Sequence, residues 1–199
     1  MKPTRVEAFS DGAIAIIITV MVLGLPRPTG ASFHDLHPLV PALFAYLLSF
    51  VNLGIYWNTH HHLLRTARSV TSGIMWSNLA LLFWLSLIPF CTEWMSSFRF
   101  ASDTIAAYSA VLALSAICFI VLQHSILYGH DSTALQEALG SRLKEKLSLV
   151  SNLLCIPLAY LWRWGALSLL VIVAASWLVP DRRLERYLTG CSEPIDETA

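Results

Sequence analysis

This sequence predicts an all-α integral membrane protein with six transmembrane helices, and three observations predict it. Of 199 residues, 56% are hydrophobic and only 13% charged, a charged share about half that of a soluble domain. The mean hydropathy is +0.61, more apolar material than one soluble core of this length encloses. Ten of the 13 basic residues, finally, fall on one side of a six-crossing topology. This composition excludes a disordered chain, a coiled coil and a disulfide-stapled module. The 13 Lys+Arg balance 13 Asp+Glu, which gives no support to nucleic-acid binding.

A helix needs about 20 apolar residues to cross a bilayer. The first such run extends from Val6 to Leu25, the second from Pro38 to Trp57, the third from Ile74 to Met95 and the fourth from Thr104 to Leu127. The fifth and sixth share the run Leu147 to Val179, too long for one crossing and sufficient for two short ones. Their break is expected at Trp162-Arg163-Trp164, where a charge between two indoles suits an interface. Strands are not expected, because the runs lack period-2 alternation and open sheet edges cannot face lipid.

With six crossings, both termini share a side with the loops after spans two and four. That side carries Lys2, Arg5, Arg65, Arg68, Arg142, Lys144, Lys146, Arg182, Arg183 and Arg186, ten of the 13 basic residues. The other side keeps Arg27, Arg99 and Arg163. The asymmetry puts both termini in the cytoplasm of a multi-pass cell-membrane protein. Residues 1–180 then form a single six-helix domain, and 181–199 a short polar cytoplasmic tail. A short amphipathic surface helix is expected at Ser132 to Leu139, with Ser132 as N-cap. The first run is not read as a signal peptide, since Glu7 and Asp11 interrupt it and no A-x-A-like site precedes Pro26. Cys91, Cys118, Cys155 and Cys191 are far apart in sequence and form no CxxC pair, so neither disulfides nor a metal centre is expected.

The stretch Arg5-Val6-Glu7-Ala8-Phe9-Ser10-Asp11-Gly12 opens the first span. Asp11 lies about 9 Å deeper than Arg5 at the helical rise. An ionised carboxylate at that depth is costly without a partner or a water-filled cavity, which makes Asp11 a functional-site candidate. On a helical wheel Ile16, Val20 and Leu23 share one stripe, Phe9 and Gly12 extend it, and Thr19 borders it. Asp11 points about 140° away from Ile16. It therefore suits a role in fixing the first span, not in meeting a permeating ion.

The second span ends in Tyr56-Trp57-Asn58-Thr59-His60-His61-His62 and the third begins Trp76-Ser77-Asn78, both level with Asp11. Trp57, His60, His61 and Asn78 offer indole, imidazole and amide donors and are its candidate partners. Three consecutive histidines raise a metal reading, but neighbouring helical positions diverge by about 100°. Polar residues at a membrane interface are the better reading. GxSxG, HExxH, Walker and GxGxxG patterns are missing, so no enzyme is expected. TVGYG is missing too, and any ion selectivity must come from side chains or from the size of a constriction.

Arg5-x-x-x-Phe9-Ser10-Asp11-Gly12, followed by an Ile/Val/Thr-rich span, resembles the signature of the transmembrane protein 175 family. The Trp57–His62 end of span two, Asn78, and Ile88-Pro89-Phe90 extend the resemblance over about the first 95 residues. The resemblance implies a homotetramer of six-helix subunits, with four first helices around a central pore and potassium as permeant ion. Ile16 would form the hydrophobic constriction, Val20 and Leu23 further apolar rings, and Thr19 a hydroxyl layer. Arg5, Phe9, Ser10 and Asp11 would hold the helices in register through Trp57, His60, His61 and Asn78. The implied activity is a leak-like cation channel of weak to moderate potassium selectivity, with membrane lipids and monovalent cations as its other partners and no cofactor. Val20 stands where relatives often carry Leu, and Gly24 where the span usually stays bulky, which implies a wider outer pore.

Two rivals remain from the residues themselves. A proton-coupled small-solute or ion transporter would use Asp11 and His60 as a relay, and requires Asp11 to face a watery path. A membrane scaffold without transport would tolerate Ile16→Asn with no change in flux.

Overall fold

The computed structural model describes residues 3–67, 69–127 and 142–178. Within them every regular element is a helix. The expected Ser132–Leu139 helix and the 181–199 tail lie outside the described residues.

Helix α1 runs Pro3–Leu23. Pro3 sits in its first turn, where a missing N–H costs nothing. A 3-10 turn at Phe33–Leu39 follows, capped by Ser32. Asp35 Oδ2 accepts the Ser32 N–H at 3.0 Å, and Ser32 Oγ accepts from His34 N at 3.3 Å. This capped turn feeds α2, Val40–Arg65. The second helix thus continues eight residues past the expected end at Trp57, since nothing before Thr66 breaks it and Leu63 and Leu64 are buried there. The His60–His62 run therefore lies within the last two turns of α2.

The expected third span is two helices, α3 (Ser72–Ser86) and α4 (Ile88–Ser97), hinged at Leu87. Pro89 explains the break: it lacks an N–H, and its ring crowds the carbonyl four residues back. Thr71 caps α3 by accepting the Ile74 N–H at 3.4 Å. The turn into α5 puts Arg99 and Phe100 at φ 49° and 59°. Burial of the Phe100 ring against Phe44 offsets this left-handed conformation. Helix α5 (Ser102–Leu127) is the central one, touching α3, α4 and the last two helices.

The expected division of the last apolar run falls at Trp162, between α6 (Arg142–Leu161) and α7 (Arg163–Leu178). Trp162 folds back over Gly165 so closely that a Cβ there would overlap its ring. Four helical segments, Pro3–Leu23, Phe33–Arg65, Ser72–Ser97 and Ser102–Leu127, are long and apolar enough to cross a membrane. Helix α6 opens on charged residues, and the 16 residues described for α7 reach only about 24 Å at the helical rise.

The interior is stitched by a polar knot that the sequence reading did not single out. Ser49 Oγ lies 2.7 Å from Thr92 Oγ1 and donates to Tyr108 OH at 3.0 Å, while Asn52 reaches the same phenol at 3.5 Å. It ties α2, α4 and α5 together among fully buried Leu53, Leu85 and Ile88.

Candidate functional site: the two faces of the first helix

Helix α1 packs against α2, α3 and α4. The residues it buries there are Val6, Ser10, Ile14, Ile17 and Met21, spaced by three or four so that they form one face. The opposite face is bare in the single chain. Phe9 is 60% exposed, Ile16 63%, Val20 47% and Leu23 84%, with Gly12 and Thr19 exposed between them. All six stripe residues named in the sequence reading are thus on one uncovered surface. Both faces are apolar, so hydrophobicity alone does not tell them apart. Thr19 Oγ1 donates to Ile16 O at 2.8 Å. Its hydroxyl hydrogen is committed to its own helix, and the oxygen lone pairs are left for whatever faces the stripe.

The polar candidates divide into two networks at the N-terminal end of α1. The buried one runs in one direction. His60 Nε2 meets Asn78 Oδ1 at 2.7 Å, Asn78 Nδ2 donates to Ser10 Oγ at 2.9 Å, and Ser10 Oγ donates to Val6 O at 2.8 Å. An amide oxygen only accepts, so His60 carries its proton on Nε2. His60 Nδ1 is then a buried acceptor with no partner among the described residues. This chain joins α1, α2 and α3 and fixes the rotation of α1.

The second network is half-exposed. Trp57 Nε1 donates to Asp11 Oδ1 at 3.0 Å, and Glu7 Oε1 lies 2.9 Å from His61 Nδ1. The Trp57 and His61 rings stack 6.1 Å apart. Of the four proposed partners, Trp57 is therefore the one that hydrogen-bonds Asp11. Asn78 and His60 serve Ser10, and His61 serves Glu7. Donor atoms of Glu7, Asp11 and His61 lie within 4.8 Å of one another, and they are the residues that could hold a cation here. Glu7 is the member of this network not chosen from sequence, although its i, i+4 spacing to Asp11 places both on one helix face. Arg5 is exposed and makes no ion pair among the described residues.

Together these features define a class: a helical membrane protein whose first helix is anchored on one face by hydrogen bonds and bare and apolar on the other. Residues 5–89 match the family model described as endosomal/lysosomal potassium channel TMEM175. A potassium channel of Chryseobacterium sp. (strain P1-3) is 43% identical over 189 residues, covering 94% of this chain and 98% of that one. The human endosomal/lysosomal proton channel TMEM175 is 26% identical over 186 residues, covering 85% of this chain and 37% of the human one. The crystal structure of a lysosomal potassium-selective channel TMEM175 homolog from Chamaesiphon minutus has the same fold, with a TM-score of 0.72 at 22% identity over 91% of this chain and 97% of that one. The chain belongs to the TMEM175 potassium channel family. That is a family of ion channels, not of enzymes.

Proposed function

We propose that this chain forms a leak-like, potassium-permeable cation channel in the cell membrane, of weak to moderate potassium selectivity. It acts as a homotetramer of six-crossing subunits with both termini cytoplasmic, and four copies of α1 surround the pore. The observation that carries this reading is the bare stripe of α1, an apolar face left open on a helix whose other face is anchored to its own chain.

Ile16 is the constriction in this reading. A narrow ring of its side chains excludes water, and a cation stripped of hydration there gains nothing in return, so the ring is a barrier until it widens. The Thr19 oxygens, one turn on, replace part of the lost hydration. Val20 and Leu23 continue the wall. Arg5 and Phe9, exposed in one chain, are assigned to contacts between subunits. Ser10, Asn78 and His60 keep the stripe pointed inward, and Trp57, Asp11, Glu7 and His61 brace the entrance. The carrier alternative draws less support, because Asp11 and His60 belong to separate networks and no hydrogen bond links them.

Cation flux from liposomes carrying purified wild type, Ile16→Asn and Asp11→Ala tests the reading. Potassium flux in the wild type that rises in Ile16→Asn, together with weakened assembly in Asp11→Ala, is the expected result. Flux that follows a proton gradient and vanishes only in Asp11→Ala overturns it in favour of the carrier.

A further inference from the structure

At the C-terminal end of α1 a cavity of about 490 Å³ opens between α1, α2 and α4, lined by Val20, Leu23, Gly24, Tyr46, Phe90 and Glu93 among others. Val20 and Leu23 belong to the bare stripe, so the cavity and the stripe are continuous. Glu93 is the charged residue of its lining, and its Oε2 would stand 3.7 Å from a Cβ built on Gly24.

Glu93 is exposed at the mouth of this cavity, beside the C-terminal end of α1. The C-terminal end of a helix carries a partial negative charge. Arg27 and Arg99, basic residues at this end of the fold, make no ion pair with Glu93 among the described residues. The lining hydroxyls do not help it either. Ser86 Oγ donates to Phe83 O at 2.7 Å, Thr92 Oγ1 to Ile88 O at 2.7 Å and Ser96 Oγ to Glu93 O at 2.9 Å. Among the described residues no hydroxyl of the lining, the Tyr46 phenol included, donates to the Glu93 carboxylate. The cavity therefore offers a bare carboxylate, a helix C-terminus and hydroxyl oxygens presented as acceptors. Against these stands the first turn of α2, where Ala42 lines the cavity and the helix N-terminus is partially positive, so the preference for a cation rests on the Glu93 carboxylate.

We infer that Glu93 forms a cation-recruiting site at the outer mouth of the channel, one per subunit, which concentrates monovalent cations ahead of the constriction. The inference rests on the channel reading, in which the Val20–Leu23 end of the stripe is the outer end of the pore. The site sets cation-over-anion preference and conductance, and leaves discrimination among alkali cations to Ile16 and Thr19. A low-dielectric cleft of one charge sign raises the local concentration of its counter-ions, and dissolved salt screens the effect.

The test is potassium flux from liposomes with purified full-length wild type, Glu93→Gln and Glu93→Lys, at low and high ionic strength. At about 10 mM salt, where charges act over ~30 Å, Glu93→Gln should conduct about threefold less than wild type and Glu93→Lys less again. At about 1 M the three should converge. Glu93→Cys supplies the second variant: a negatively charged methanethiosulfonate should restore its low-salt flux and a positively charged one depress it further, each corrected for the reagent's effect on wild type. Equal flux of wild type and Glu93→Gln at low salt overturns the inference alone. So does a loss that is the same at both salts and accompanies loss of the oligomer, which makes Glu93 structural. A wild type that carries no potassium at all overturns the channel reading and this inference with it.

Discussion

Helix α1 and helix α5 are both apolar membrane segments of similar character, yet the single chain treats them in opposite ways. Within the single chain 61% of the α5 segment is buried, against 28% of α1 and 22% of Phe33–Arg65. Buried residues of α5 face several neighbours, whereas those of α1 lie along one line. A central helix is finished by its own fold. Helix α1 is held by one face only, and Ser10, Asn78 and His60 fix the rotation of that face.

Pairs of substitutions on the two faces of α1 sharpen this contrast. The largest effect is expected from Ile14→Ala against Ile16→Ala. Ile14 is 1% exposed and Ile16 63%. Truncating Ile14 leaves a cavity and should cost about 3 kcal/mol, whereas Ile16→Ala should cost less than about 0.5 kcal/mol and raise flux by widening the proposed constriction. Thermal unfolding in detergent, followed by size-exclusion, reads the first and liposome flux the second; equal destabilisation by the two would break the comparison. Next is Asn78→Leu, which strands His60 Nε2 in a buried site and removes the amide donor to the Ser10 oxygen. A loss of about 2 kcal/mol is expected by the same unfolding assay, with flux falling as α1 rotates. The smallest is Trp57→Phe, which removes the indole donor to Asp11 at a half-exposed site. About 1 kcal/mol or slightly more is expected, and flux near that of wild type.

The sequence made the stripe and the break at Trp162 legible, because each depends on local spacing: i, i+3 and i+4 positions for the first, a charge between indoles for the second. The partners at Asp11 were legible only as a set. Which donor reaches the acid depends on how α2 rotates against α1, and long-range packing decides that rotation. The division of the third span at Leu87 had a visible cause in Pro89, but a proline inside an apolar run kinks some helices and breaks others. The Ser49–Thr92–Tyr108 knot stayed hidden, since its members are 43 and 59 residues apart in sequence. The polar residues within spans were the available signal for it.

That knot has a consequence for identity. In a bilayer holding many copies of one chain, every helix constantly meets duplicates of its proper neighbours. Leucine against leucine does not discriminate between kin and stranger, because lipid tails are as oily as either. Hydroxyls and a phenol that fit only when α2, α4 and α5 stand at one depth and one rotation do discriminate, and a mispaired helix leaves them without partners where no water can substitute. The buried Ser49, Thr92 and Tyr108 act in this sense as a password, by which each chain pairs α2, α4 and α5 of its own.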